Sequence, residues 1–285
     1  MHIYYRISDK SYEKPKLIGA TKEVCLMNFV RAFHEVIFGN DMPNENHKPP
    51  MTIIADRCER KTIKMLMDTG IPVIFSDLGN AGSLRKALEM AVKEQPEDQL
   101  VYFVEDDYLH LGSAPKLLQE GIKRSDYVSL YDHPDKYTRF YNLGEYSKVI
   151  KTPSSHWRFT VSTTMTFATT VKTLKEDFET WMKYTDGPHP HDHHLFTHLR
   201  KQGRKLAIPI PGVACHVDLF IPSRFGMETM EHWAIELMIK ELEQKLQEHS
   251  VEACDMVYQI SKSKTGWEKL VALDALRVHL KKNEQ

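Results

Sequence analysis

Three consecutive acids, Glu105-Asp106-Asp107, follow directly on the apolar run Leu100-Val101-Tyr102-Phe103-Val104. Neighbouring carboxylates repel one another, and such a trio is stable when something cationic neutralises it. A hard divalent ion such as Mg²⁺ or Mn²⁺ takes carboxylate oxygens and keeps positions open for phosphate. A solvated acidic turn is the plain alternative, and three residues alone leave both readings standing.

A second group comes later in the chain. Residues 191–203 read His-Asp-His-His-Leu-Phe-Thr-His-Leu-Arg-Lys-Gln-Gly, a short helical stretch opened by Asp192 and closed by Gly203. Asp192 can act as an N-cap, as a base, or as both. Asp is a preferred cap, and a helix N-terminus by itself makes a carboxylate a weaker base. A base role therefore needs burial or nearby phosphate to offset the helix. An extended stretch with Pro209 and Pro211 follows, and then His216. A lone histidine is more often a core or surface imidazole than a ligand; the place of His216, after the acids and after the helix, singles it out.

In this order, an apolar strand ending in acids, a helix opened by an acid and closed by Arg200-x-x-Gly203, and a late histidine, the chain resembles glycosyltransferases of the GT-A fold, the inverting family-2-like members in particular. The resemblance implies a GT-A (Rossmann-like), mostly parallel sheet flanked by helices, and a metal-dependent nucleotide-diphospho-sugar transferase. Glu105 or Asp106 would face the ribose or sugar of a UDP- or GDP-sugar donor. Asp107 and His216 would hold Mn²⁺ or Mg²⁺. Asp192 would take the proton of an acceptor hydroxyl, on a glycan or another alcohol. The sequence departs from the family at Glu105, where an Asp is usual, and at His191, where a Glu is usual.

On the donor side, Arg6 and Ser8 at the first strand end and Asp56 at the second stand where the base and ribose would be held. Arg85, after Gly79-Asn80-Ala81-Gly82-Ser83, suits a diphosphate near a helix start, or is a solvent-facing helix charge. The irregular aromatic stretch from Asp132 to Trp157 offers acceptor contacts, and Asp132, His133, Trp157 and His191 are the candidates; packing is the alternative. The histidines of 189–194 suggest a zinc hydrolase as a second reading, although Asp192 is one place out of step with the hydrolase motif. A sugar nucleotidyltransferase is a third, but Ser8 to Gly19 lacks the Gly-rich basic loop it would carry.

The elements that must position these residues alternate in period. β-prone segments at 2–7, 51–55, 72–75 and 100–104 alternate with helical patterns at Leu26-Phe29-Val30-Phe33-Ile37, at Ile63-Leu66-Met67 and at Leu84-Ala87-Leu88-Ala91. That is the βαβ order of a parallel sheet, whose ligand crevice lies at the carboxyl ends of its strands. Thr21 stands near a helix start, a turn is expected at Gly79–Gly82, and 206–215, with two prolines, suits an edge or loop. A GT-A-like domain is expected over 1–225, with a helical C-terminal extension over 226–285. The 285 residues carry 38 basic and 39 acidic side chains, a net charge of −1, which argues against a general nucleic-acid binder. No apolar run reaches the ~18 residues of a membrane span. The four cysteines show no CxxC spacing and read as free thiols in a reducing, cytoplasmic setting.

Overall fold

The computed structural model describes residues 1–10, 19–39, 49–132 and 147–217. The chain divides into two compact units, and the first, Met1–Lys14, Thr21–His133 and Glu145–Val217, holds nearly all the described residues. The expected extension over 226–285, the boundary at 225, His133 and Cys254 lie outside them.

The first eight elements follow the βαβ order that the periodicity predicts, with the first expected helix divided in two at Phe33. They are β1 (His2–Ser8), α1 (Lys22–Ala32), α2 (His34–Phe38), β2 (Met51–Asp56), α3 (Arg60–Met67), β3 (Val73–Ser76), α4 (Gly79–Glu94) and β4 (Leu100–Glu105). β1 runs parallel to both β2 and β4, and β2 parallel to β3, in the order β3-β2-β1-β4. Alternate residues enter two cores. Ile3, Tyr5, Ile7 and Ile53 meet Leu26, Phe29, Phe33 and Ile37 of α1 and α2 on one face. Tyr4, Ile54, Val101 and Phe103 meet Leu84, Leu88 and Ala91 of α4 on the other. Burial on both faces explains why these strands read as unbroken apolar runs. Thr21 caps α1 as expected, its side chain accepting from Val24 N.

The second half supplies β5 (Tyr108–His110), α5 (Ala114–Gly121), β6 (Tyr127–Val128), β7 (Val149–Lys151), β8 (His156–Thr160), β9 (Phe167–Thr170), α6 (Val171–Glu176), α7 (Phe178–Tyr184), α8 (Asp192–Lys201), β10 (Leu206–Ile210) and β11 (Ala214–His216). The main sheet continues from β4 as β9-β6-β10-β8-β7, with β9 antiparallel to both neighbours. β5 and β11 form a separate two-stranded ribbon. The unit is an α/β fold: a mixed sheet, parallel through β3-β2-β1-β4, flanked by helices, with acids closing the fourth strand.

Three expectations change. Gly79–Gly82 is the first turn of α4 and not a separate turn. The cause is Asp56, whose carboxylate accepts from Leu78 N at 2.6 Å and Gly79 N at 3.1 Å, satisfying N–H groups that a helix start leaves open. Second, β10 is an interior strand between β6 and β8, despite Pro209. Lys205 and Ala207 direct their carbonyls to β6, so the N–H that Pro209 lacks belongs to the same side, beyond the last residue of β6. Third, Trp157 is core and not an acceptor platform. It is fully buried, its indole N–H donates to Thr152 Oγ1 at 2.8 Å, and a Cβ on Gly121 would come within 2.6 Å of its ring. An aromatic in a polar stretch was filling the space beside a glycine.

Candidate active site

The parallel strands bring their carboxyl ends to one rim. Ser8 is in register with Asp56, Asp56 with Ser76, and Arg6 with Glu105. The three acids at the end of β4 then diverge, as successive residues of an extended chain must.

Glu105 turns to the α4 side. Its Oε1 accepts from Arg6 Nη2 at 3.1 Å, and Arg6 Nη1 also donates to Asn80 O, Asn80 Oδ1 and Ser83 Oγ at 3.0–3.2 Å. Arg6 is buried, so the arginine expected at the nucleotide sits beneath the rim and holds the first acid against α4. Asp106 turns the other way, accepting from Ser8 N at 3.0 Å and pairing with Lys22 Nζ at 2.5 Å. Lys22 also donates to Ser8 O. Asp106 thus ties the end of β1 to the start of α1. Nothing in the sequence reading had singled out Lys22; its place just after the cap Thr21, on the helix that follows β1, was the available signal.

Asp107 faces His216, with Nε2 3.2 Å from Oδ2. The β5–β11 ribbon makes this meeting. Tyr108, Leu109 and His110 pair with His216, Cys215 and Ala214, and Val217 N donates to Asp107 O at 2.8 Å. The ribbon is anchored to the end of β6, since Val213 N and Ala214 N both donate to Leu130 O. Gly212 permits that approach, because a Cβ there would lie 2.9 Å from Asp132 N.

Burial pushes the Glu105 carboxyl up to about 7. Arg6 and His216 pull it down, and Asp107 and Asp192 push it up. Asp107, His216 and Asp192 thus all act on Glu105, which is where the three places singled out in the sequence come near one another. Asp192 is the first residue of α8. His191 is the cap, without a side-chain cap bond, and Asp192 Oδ1 accepts from His193 N at 2.6 Å. Asp192 thus satisfies one of the N–H groups that the start of α8 leaves open, from inside the helix and not from the cap position.

A segment absent from the sequence reading as a site, residues 161–166 between β8 and β9, runs through this region. Thr166 Oγ1 accepts from Glu105 N at 3.1 Å, Thr164 Oγ1 from Tyr108 OH at 2.8 Å, and Ser162 Oγ bonds His193 Nδ1 at 3.2 Å. Its threonines are β-formers by residue type, and no motif in the sequence marks them.

The remaining candidates divide. Asp56 spends both oxygens on Ser76 Oγ and the start of α4. Ser8 uses its N–H on Asp106 and its Oγ on Lys10 N. Arg85 pairs with Asp186 at 3.5 Å on the surface. Asp132 pairs with buried Arg158 at 3.0 Å. His191 is exposed, its ring 6.3 Å from that of His194. Cys25, Cys58 and Cys215 are free thiols, and burial pushes Cys58 and Cys215 up to about 12, which keeps them protonated.

Among the described residues no three His, Cys, Asp or Glu side chains converge as a metal-holding group. This bears on the 189–194 histidines as on the acids. Asp107 and His216 offer one carboxylate and one imidazole, a donor pair that fits an ion completing its sphere with water and substrate phosphate.

No protein-family model matches the chain, and no curated protein matches it. Solved structures do. One is TarS 1-349 of S. aureus, at 13% identity and a TM-score of 0.45 over 90% of this chain and 69% of that one. Another is mannose-1-phosphate geranyltransferase from Thermus thermophilus, at 14% and 0.40 over 73% and 74%. A third is CMP:2-keto-3-deoxy-manno-octonic acid synthetase complexed with CTP, at 10% and 0.42 over 84% and 98%. Among the described residues no helix is long and apolar enough to cross a membrane.

Proposed function

We propose that the chain transfers a sugar from a nucleotide-diphosphate donor to an acceptor hydroxyl, with the rim of β4, the β5–β11 ribbon and the start of α8 as its active site. The observation that carries this reading is the Asp107–His216 pair, 3.2 Å apart and brought together from distant parts of the chain beside Glu105, on which Asp192 also acts. Asp107 and His216 would hold Mn²⁺ or Mg²⁺. A divalent ion there supplies positive charge against the charge that builds on a leaving diphosphate. Arg6 fixes the Glu105 carboxylate, which faces the donor. Asp192 accepts the proton of the attacking hydroxyl. Attack from the side opposite the leaving group inverts the anomeric centre.

Thermal-shift measurements with UDP and GDP, each with Mn²⁺ or with EDTA, test the reading, since a ligand that binds only the folded state raises the melting temperature. Greater stabilisation with Mn²⁺, lost in Asp107→Ala and weakened in His216→Ala, is expected. Equal stabilisation in EDTA and in Asp107→Ala would remove the metal from the site. The product released in turnover then separates sugar transfer, which frees a nucleoside diphosphate, from nucleotidyl transfer, which frees pyrophosphate.

A further inference from the structure

The imidazole of His216 is packed as well as paired. Its register partner across the ribbon is Tyr108, whose ring centroid is 4.8 Å away. Tyr131 lies 6.1 Å from it and meets Tyr108 edge-on at 5.7 Å. Tyr108 is fully buried, and its hydroxyl reaches out of the ribbon to donate to Thr164 Oγ1 at 2.8 Å. Thr164 belongs to the segment that also bonds Glu105 N through Thr166 and His193 through Ser162. A tyrosine ring needs no hydroxyl to fill space. A buried hydroxyl bond fixes where the ring lies along its own axis, and a fixed ring fixes its neighbour.

We infer that Tyr108, anchored by Thr164, is a positioning residue for His216 and sets the imidazole at the distance from Asp107 at which both can share one divalent ion. This rests on the metal reading proposed above. A group that orients a ligand changes affinity for the ion by roughly 10–100-fold when removed. Tyr108 acts by packing and not by a bond to the ring, so the low end, about tenfold, is expected.

The test uses the full chain and Mn²⁺ itself, titrated with UDP present and followed by the EPR signal of free Mn²⁺. Tyr108→Phe keeps the ring and loses the hydroxyl; Thr164→Val keeps the shape and loses the acceptor. Each should weaken Mn²⁺ about tenfold, and the double variant should be no worse than either single one, because both remove the same bond. Nitrogen NMR of the His216 ring without metal should show the same shift in both variants. That second readout separates the two ideas. A wild-type chain that binds no Mn²⁺ overturns the metal reading, while a shared ring shift still supports positioning of His216. Folded variants with wild-type Mn²⁺ affinity and an unmoved ring signal would overturn the positioning role.

Discussion

Asp56 and Asp107 stand at the same rim, on either side of β1, and their surroundings are opposite. Asp56 ends a strand whose residues are all buried, and its oxygens accept from Ser76 Oγ, Leu78 N and Gly79 N. Asp107 meets an imidazole delivered by another element. Asp106 belongs with Asp56, closed by Ser8 N and Lys22. A carboxylate closed by backbone N–H groups organises a turn or a helix start. One that faces an imidazole delivered by another element is, on the proposed reading, placed for chemistry. Strand alternation makes this division, which adjacency in sequence conceals.

The contrast is sharpest in Asp192→Asn. Asn has nearly the same shape and can still accept from His193 N, so the melting temperature should hold. If Asp192 is the base, transfer should fall by roughly 10²–10⁴-fold, with donor affinity kept. Near-normal turnover of the variant would leave Asp192 a helix-start residue only.

On the closed side the effect should lie in stability. Asp56→Ala strands Leu78 N and Gly79 N at the start of α4, and should cost about 2–4 kcal/mol in denaturant unfolding. A loss below about 0.5 kcal/mol, with nucleotide response abolished, would move Asp56 to the donor site and erase the contrast.

These outcomes bear on how much was legible beforehand. Alternating periods were enough for β3-β2-β1-β4, because residues covered on both faces leave an unmistakable apolar run. The acids, Asp192 and His216 were each visible, but only the β5–β11 ribbon makes two of them a pair. Arg6 was read as a ligand contact and is buried under Glu105. No local pattern encodes that, since it depends on β4 lying beside β1. Trp157 was misread because composition cannot say which aromatic in a polar stretch faces a glycine. Thr164 and Thr166 were missed because a hydroxyl that accepts one hydrogen bond looks, in sequence, like any β-former.

A third prediction concerns a titrating group of the ribbon itself, at the end of β5, that takes no part in the proposed chemistry. His110 is buried among Phe29, Phe33 and Tyr102, with Nε2 2.7 Å from Tyr102 OH. Burial lowers it to about 3. An unfolded histidine titrates near ~6.5, so below that pH the unfolded chain binds the extra proton and the native state does not. The contribution of His110 is thus full above ~6.5 and is lost as pH falls toward 3, by up to about 1.4 kcal/mol per unit. Between pH 7 and 5 the wild type should lose roughly 1–2 kcal/mol more than His110→Phe in denaturant unfolding. Parallel profiles would mean that the ribbon admits the proton.

The smallest effect is expected at Arg85. Its exposed pairing with Asp186 should be worth no more than about 0.5–1 kcal/mol. Arg85→Ala should leave nucleotide stabilisation unchanged. A lost response would return it to the diphosphate and extend the site along α4.

The ribbon also has a consequence in time. A chain made from its N-terminus completes β1 to β4 early, with Lys22 and Arg6 already present to answer Asp106 and Glu105. His216 arrives on the last described strand. On the ribosome, Asp107 therefore waits for nearly the whole unit to be translated before its partner exists, and closing so long a loop is slow compared with local pairing. A nascent chain halted before β11 would carry a finished parallel half without the histidine that the proposed ion site needs.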